Sequence, residues 1–422
     1  MFNTIIGAIA TIVVVTLILV ALLLVIKAKL TPSGSVSIDI NGGKKTLEVP
    51  LGGDLMHTLG DQGIFLPSAC GGKANCGQCK VQVLEGGGTI LPTETGFFNR
   101  KQIKDGYRLG CQVKIKDNIK IQVPDSTLSV KKLECEVISN DNVATFIKEF
   151  TVKLPEGENI EFKSGEYIQI DIPEYDIDFA DIDVAPEYRG DWEKYGFFGI
   201  KHKNTVPTIR AYSMASYPAE KNVIKLNVRI ATPPFDRSQP RGVFKMLPVP
   251  PGVASSYVFT RKPGDKVWIS GPFGEFLLPK DDPEEQEYIF VGGGAGMAPL
   301  RSHIMHLFKT LKTGRKVSFF YGARALVEAF YLEDFAEIEK EFPNFKFHLA
   351  LDRPDPAADA AGVKYTPGFV HNVMYETYLK NHEAPEDIKY FMCGPPMMVA
   401  SVNNLLDSLG VQPESILYDN FS

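Results

Sequence analysis

Residues 5–26 carry no charged side chain and read almost without interruption as Ile, Val, Leu and Ala. A run of 22 residues predicts a helix about 33 Å long, enough to cross a bilayer. A cleaved signal peptide fits less well, because no basic stretch precedes the run and no small-x-small site follows it. Lys27 and Lys29 come directly after it, so the positive-inside rule places the rest of the chain in the cytoplasm. No acidic residue lies in the run, which gives it no proton or sodium relay of its own. Beyond it the pattern changes. SVSIDI and KKTLEVP alternate apolar and polar positions around Asn41-Gly42 and predict a hairpin, and DLMHTLGDQG has apolar positions at helical spacing. LECEVISNDNVATFIKEFTVKL and FKSGEYIQIDIP read as short strands of an antiparallel barrel. EYIFVGGGAGMAPLRSHIMHLFKTL runs strand, glycine turn, amphipathic helix, and VSFFYGAR and KYFMCGPPMM follow as buried strands of a parallel sheet. The predicted fold class is multidomain: a single N-terminal transmembrane helix over 1–30, a small hairpin-and-helix domain over 33–130, an antiparallel β-barrel over 131–284, and an α/β nucleotide-binding domain over 285–422.

Length and composition agree with that division. A chain of 422 residues exceeds one comfortable core, and 44% hydrophobic with 23% charged residues describes packed globular domains. A net charge of -6 argues against a nucleic-acid surface. Residues 174–194 hold eight acidic and two basic side chains broken by Pro and Gly, and read as a solvated loop inserted in the barrel rather than a docking surface.

The chain has six cysteines, too few for a disulfide scaffold, and Cys70, Cys76, Cys79 and Cys111 crowd together as C-x5-C-x2-C with the fourth 32 positions on. Interleaved glycines let a loop fold tightly with backbone N–H groups near cluster sulfurs, whereas a zinc ribbon would supply two C-x2-C knuckles. These four thiols are therefore assigned to a 2Fe-2S cluster. The spacing resembles the plant and adrenodoxin types of ferredoxin, which implies a β-grasp fold; the first gap is one residue longer than in the plant pattern P-S-x-C-x4-C. Cys135 and Cys393 stand apart, where a buried inert thiol is the ordinary expectation.

The glycine turn Gly292, Gly293, Gly294, Gly296 opens a helix, the arrangement that sets a pyrophosphate on a helix N-terminus, and lacks the Gly-Lys-Ser/Thr of a Walker A loop. Its G-x-G-x-x-P form, together with R-x-Y-S at 210–213, GVASS at 252–256 and CGPP at 393–396, resembles the ferredoxin-NADP reductase family. That resemblance implies that Arg210 pairs with the FAD pyrophosphate, Tyr212 packs on the isoalloxazine and Ser213 sits near its N5. It implies that Gly252, Ser255 and Ser256 form a second pyrophosphate loop, and that Cys393, with Gly394 and Pro395, lies beside the nicotinamide. It makes Phe421, one short of the terminus, an aromatic gate over the flavin. Hydride transfer needs a dry pocket holding donor and acceptor about 3–3.5 Å apart rather than an acid or base, so Cys393, Ser213 and Phe421 are the candidate catalytic residues. Arg324 alone offers a cation for a 2'-phosphate after YGAR, which favours NADH. His303 and His306 share a helix face without a third ligand and are expected to pack.

The order of segments, with RAYSMA, GPFGEF, GGGAGMAP and the tail of CGPPMM, resembles the F-subunit family of sodium-translocating NADH:quinone oxidoreductases along essentially the whole chain. The resemblance implies a single-pass component of the bacterial inner membrane that takes hydride from NADH onto FAD and passes single electrons through a 2Fe-2S cluster to other subunits. Quinone is then reached indirectly and sodium moves elsewhere in the complex. Two alternatives stand beside it: the reductase component of a bacterial oxygenase, and a non-catalytic, membrane-tethered assembly subunit.

Overall fold

The computed structural model describes residues 2–30, 34–240 and 242–419, with side chains of the first helix described at Ile6, Gly7, Ile9 and 11–23. The chain divides into two compact units, Met1–Pro67 with Gly72–Ser129, and Ser68–Gly71 with Val130–Ser422.

The first unit begins with helix α1, Phe2–Leu30, along which Ile6, Ile9, Leu17 and Leu23 are all more than half exposed. Its side chains are described continuously only over 11–23, and among the described residues no helix is long and apolar enough to cross a membrane. Strands β1 (Ser35–Ile40), β2 (Lys45–Pro50), β3 (Lys80–Glu85), β4 (Tyr107–Leu109) and β5 (Ile119–Gln122) form one sheet in the order β2-β1-β5-β3-β4, with β1 and β5 parallel. That is the order of a β-grasp sheet. Asn41 and Gly42 turn the first hairpin at φ 55° and 65°, the left-handed region that an Asn-Gly pair enters at little cost. Asp54 caps helix α2, Leu55–Asp61, accepting from the His57 N–H, and the buried Leu55 and Leu59 close the core over Ile38, Val81 and Ile121. Helix α3, Arg100–Lys104, opens on an Asn99/Gln102 capping box.

An ion pair lies at the heart of this unit. Glu94 is fully buried and Arg108 is 5% exposed. The Arg108 guanidinium donates to the Glu94 carboxylate through Nε and Nη2, the latter at 2.8 Å, and through Nη1 to the carbonyls of Gly87 and Gly88. The carboxylate also accepts the N–H groups of Leu91 and Leu109, at 2.9 and 2.8 Å. It thereby ties the 86–94 loop to the strand that runs into Cys111. Glu94→Ala leaves a buried guanidinium uncompensated, so the denaturant transition of this unit is expected to lose about 3–5 kcal/mol. A loss below about 1 kcal/mol, the range of an exposed pair, would show that the pair holds nothing together.

In the second unit the strands are β6 (Lys131–Ala144), β7 (Ile147–Lys153), β8 (Tyr167–Ile172), β9 (Tyr175–Asp178), β10 (Lys201–Asn204), β11 (Thr208–Ser213), β12 (Val223–Arg229) and β13 (Lys266–Phe273). Six of them make an antiparallel sheet, β11-β8-β13-β6-β7-β12. Its two edge strands meet where Met214 bridges Leu226 and the Ala215 N–H donates to the Lys225 carbonyl at 2.7 Å. The acidic stretch 174–194 differs from the solvated loop its charge predicts. It forms strand β9, which pairs with β10, and helix α4, Pro186–Lys194, and buries Phe179, Ile182, Val184 and Trp192 while Asp176, Asp181, Asp183 and Glu187 stay exposed. Trp192 donates from Nε1 to the Thr145 carbonyl at 2.7 Å and stacks on Phe259. Apolar residues between the acids supply a core face that a charge count conceals.

Helix α5, Val253–Phe259, precedes β13. Strands β14 (Tyr288–Gly293), β15 (Val317–Ala323), β16 (Phe345–Leu351), β17 (Thr366–Pro367), β18 (Lys389–Cys393) and β19 (Ile416–Asp419) then form a wholly parallel sheet in the order β17-β16-β15-β14-β18-β19. Helices α6 (Met297–Met305), α7 (Leu332–Glu341), α8 (Pro356–Ala360), α9 (Val370–Thr377) and α10 (Pro396–Ser408) connect the strands. Phe290, Phe319 and Phe391 pack with Leu300 and Phe335 in one cluster, and Val291, Phe320 and Met392 pack with Met374 and Leu406 in another. Burial on both faces is why these strands read as unbroken apolar runs.

Candidate cofactor sites

The loop that follows α2 turns through Gly72, Ala74 and Gly77 at φ 84°, 57° and 66°. A Cβ on Gly77 would stand 2.3 Å from the Phe97 ring, so this close turn requires glycine. Cys79 and Cys111 are buried and linked through the Gly110 N–H, which donates to the Cys79 carbonyl at 2.7 Å. A hydrogen bond with Cys111, then burial, then the charges of Cys111 and Cys76 push the Cys79 thiol far above its ordinary range, and that hydrogen bond sets the Cys79 and Cys111 thiols side by side. Cys70 lies in Ser68–Gly71, the segment counted with the second unit, in a turn where the Gly71 N–H donates to Ser68 Oγ at 3.0 Å. Among the described residues no three His, Cys, Asp or Glu side chains are grouped as ligands of a single ion. A 2Fe-2S cluster asks for a different arrangement, four thiolates divided between two irons, and crowded thiols on a glycine-rich loop fit that donor set.

Arg210, Tyr212 and Ser213 occupy the last positions of β11, with Arg210 and Tyr212 on one face by the period of two. Arg210 Nη1 donates to Thr208 Oγ1 at 2.8 Å and to the Ile209 carbonyl at 2.7 Å. Burial pushes the Tyr212 hydroxyl above its usual pKa. Ser213 Oγ donates to Asp419 Oδ2 at 2.6 Å, and Asp419, raised by its own burial, stands opposite Cys393 in the β18–β19 register. Cys393 is fully buried, and burial together with the Asp419 charge drives its thiol well up. Ser213 thus meets Asp419, the register partner of Cys393, at the carboxyl ends of parallel strands, where an open α/β sheet gathers its ligands. Sequence reasoning missed Asp419; an acid closing the strand ILYD, two positions before Phe421, was the available signal. Phe421 itself lies outside the described residues.

The stretch read as a second pyrophosphate loop is helical. Gly252 caps α5 and donates to the Ala231 carbonyl at 2.7 Å, and a Cβ there would stand 2.7 Å from that of Ala231. Ser255 Oγ accepts from the Ala231 N–H at 3.1 Å and so holds the turn. Among the described residues Ser256 Oγ has no hydrogen-bond partner, a buried orphan hydroxyl in the element whose sequence resembles a pyrophosphate loop. In the nucleotide domain Gly292 and Gly293 end β14, and Gly294 to Gly296 make one 3-10 turn into α6. A Cβ on Gly296 would stand 2.1 Å from the Cys393 carbonyl oxygen, and one on Gly394 2.6 Å from Met398. Pro395 stands at the N-cap of α10. Arg324 is exposed just past β15. His303 is fully buried against Ser164 Oγ, and burial lowers its pKa to about 3, so it packs as a neutral ring.

A parallel nucleotide sheet, an antiparallel sheet with a strand-end R-x-Y-S, and a thiol-rich β-grasp in one chain define an iron-sulfur flavoprotein reductase. Family models agree part by part: a 2Fe-2S iron-sulfur cluster binding domain at residues 38–116, an oxidoreductase FAD-binding domain at 196–277 and an oxidoreductase NAD-binding domain at 290–404. The fold is that of the cytochrome P450 reductase GcoB of Amycolatopsis, at a TM-score of 0.60 and 22% identity over 92% of this chain and 98% of that one. It is shared by a ferredoxin reductase in carbazole 1,9a-dioxygenase, at 0.56 and 20% over 92% and 99%. The chain is 51% identical over 403 residues to the F subunit of the Na(+)-translocating NADH-quinone reductase of Pseudomonas aeruginosa, covering 96% of this chain and 95% of that protein. It is 53% identical over 409 residues to that of Methylococcus capsulatus, covering 96% and 97%. This chain belongs to the F-subunit family of Na(+)-translocating NADH-quinone reductases.

Proposed function

We propose that this chain is the NADH-oxidising subunit of a membrane Na+-translocating NADH:quinone oxidoreductase. When bound, FAD takes two electrons from NADH as hydride and releases them singly, and a 2Fe-2S cluster carries them one at a time to other subunits and so indirectly to quinone. In this reading Arg210 binds the FAD pyrophosphate, which a guanidinium fork suits, beside the loop of Gly252, Ser255 and Ser256. Tyr212 packs against the flavin ring. The glycine turn of Gly292, Gly293, Gly294 and Gly296 receives the NADH pyrophosphate on the N-terminus of α6, while Gly394 and Pro395 leave room beside Cys393 for the nicotinamide. Ser213 and Asp419 hold a proton between them at the reacting edge, and Phe421 gates it. Cys70, Cys76, Cys79 and Cys111 bind the irons. The finer architecture belongs to the same proposal: the six-stranded sheet is the flavin barrel, the domains run 33–130, 131–284 and 285–422, and α1 is a single-pass anchor in the bacterial inner membrane with Lys27 and Lys29 on the cytoplasmic side.

One observation carries most of this weight: the Ser213 to Asp419 hydrogen bond, facing Cys393, joins the R-x-Y-S strand to the carboxyl ends of the nucleotide sheet. The test is an anaerobic titration of the full chain with NADH. Flavin absorbance at the visible maximum should bleach, and the EPR signal of a reduced 2Fe-2S cluster should then appear. A protein whose flavin stays yellow would be the non-catalytic component instead, and bleaching without an EPR signal would break the path to the cluster.

A further inference from the structure

Three consecutive residues of α6 are polar and buried: Arg301 is 4% exposed, and Ser302 and His303 are fully covered. A run like this is costly unless each group is paired. All three reach the antiparallel sheet or its flanking turns. Arg301 Nη1 donates to the Ala215 carbonyl at 2.8 Å, Ser302 Oγ to the Ser216 carbonyl at 2.8 Å, and His303 Nδ1 lies 3.0 Å from Ser164 Oγ. Ala215 and Ser216 follow Ser213 closely in the chain, and α6 begins directly after Gly296.

Arg301 fills its remaining positions with charge. Nε donates to Asp334 Oδ2 on α7 at 2.8 Å, Nη1 and Nη2 reach the Glu220 carboxylate at 3.3 and 3.4 Å, and the guanidinium lies 4.8 Å from the Tyr331 ring centre. Tyr331 enters α7 at φ 59° and is itself held by Asn227 Nδ2 at 2.8 Å and by Glu149, on β12 and β7. Burial opposes the guanidinium's charge, and Glu220 and Asp334 more than offset it. An apolar face would cover the same area but would let two surfaces slide; a planar fork bound to fixed acceptors sets register.

We propose that Arg301 is a positioning residue for hydride transfer: it keys the helix that carries the glycine turn to the strand end that carries Ser213, and so sets the distance between nicotinamide and flavin. The inference rests on the NADH and FAD reading above. Full-length Arg301→Met, Arg301→Lys and Ser302→Ala are compared with wild type. In rapid mixing with NADH, the limiting rate of flavin bleaching should fall about 10²-fold in Arg301→Met, the loss that follows a misplacement of about 1 Å. The NADH concentration at half-saturation should stay within about threefold, because ground-state binding is untouched. Arg301→Lys should recover part of the rate, since it restores charge without the fork. Hydrogen exchange of the protein without NADH should quicken in peptides covering 213–220, 297–305 and 331–341, the three segments that Arg301 ties together, and nowhere else in the second unit, and in Ser302→Ala, which keeps the charge cluster, to a lesser degree. A wild-type bleaching rate in Arg301→Met overturns the proposal. So does a proportional rise in half-saturation, or exchange that quickens throughout the unit; if Arg301→Met fails to fold, wild-type rates in both Arg301→Lys and Ser302→Ala do the same. Failure of the wild-type chain itself to bleach would strike the NADH reading, while the exchange pattern would still report on the lock.

Discussion

Cys111→Ser is expected to abolish the EPR signal and the brown absorbance of the cluster while NADH still bleaches the flavin at a rate close to wild type. Cys111 is 5% exposed in the turn just past β4, and its neighbour Gly110 ties that turn to Cys79. A serine fits the space but offers a hydroxyl that stays protonated at neutral pH, where the iron needs a thiolate. Loss should therefore be near complete. Arg210, Tyr212 and Ser213, the residues proposed for the flavin, belong to the other compact unit, with its own core, so NADH oxidation has no reason to fall with the cluster. Cys135→Ser is the matched control. Cys135 is fully buried in β6 and burial pushes its thiol up to about 12, which makes it a packing residue whose replacement leaves both spectra in place. Survival of the EPR signal in Cys111→Ser would remove this residue from the ligand set, and joint loss of flavin bleaching would mean that the two halves do not act in series.

What could be read from the chain was what lies close together in it. The strand, glycine turn and helix over 288–305 are local, as is the Asn41-Gly42 hairpin, and each follows from residues within a few positions of one another. Asp419 shows the opposite case. It meets Ser213 across 206 positions, through a parallel β18–β19 register that no local pattern specifies. Arg301 is similar: within its helix it is one more basic residue after a glycine turn, and only packing against Ala215, Glu220 and Asp334 makes it a buried charge. The acidic stretch failed for a different reason. Its charges were counted while the apolar residues between them, Phe179, Ile182, Val184 and Trp192, were the ones that determined its structure. The GVASS segment resembles a phosphate-binding loop in sequence, yet the residues from Val253 wind into a helix behind Gly252.

Gly296→Ala is expected to lower the rate of NADH-dependent flavin bleaching by at least about 10²-fold while the protein keeps its FAD. The backbone conformation there is ordinary, with φ -62°, so strain in the turn is not the cause. Space is the cause. An added Cβ would stand 2.1 Å from the carbonyl oxygen of Cys393, 2.3 Å from its carbonyl carbon and 2.6 Å from the Gly394 nitrogen. These are backbone atoms at the end of β18, held on one side by β14 and on the other by β19, so no side chain can rotate away to make room. Either the glycine turn or the Cys393 strand end has to shift, and both border the proposed nicotinamide site. Two other glycines separate this effect from a general intolerance of the loop. At Gly292 the nearest obstacle is the Leu300 methyl at 2.7 Å, a side chain that can give way, and Gly314→Ala meets only Glu284 Oε1 at 3.5 Å. Stopped-flow bleaching should rank the three variants with Gly296→Ala slowest, Gly292→Ala between and Gly314→Ala at wild type, with flavin content equal in all. Equal rates across the series would mean that the contact between the glycine turn and Cys393 does not govern how the nicotinamide is presented.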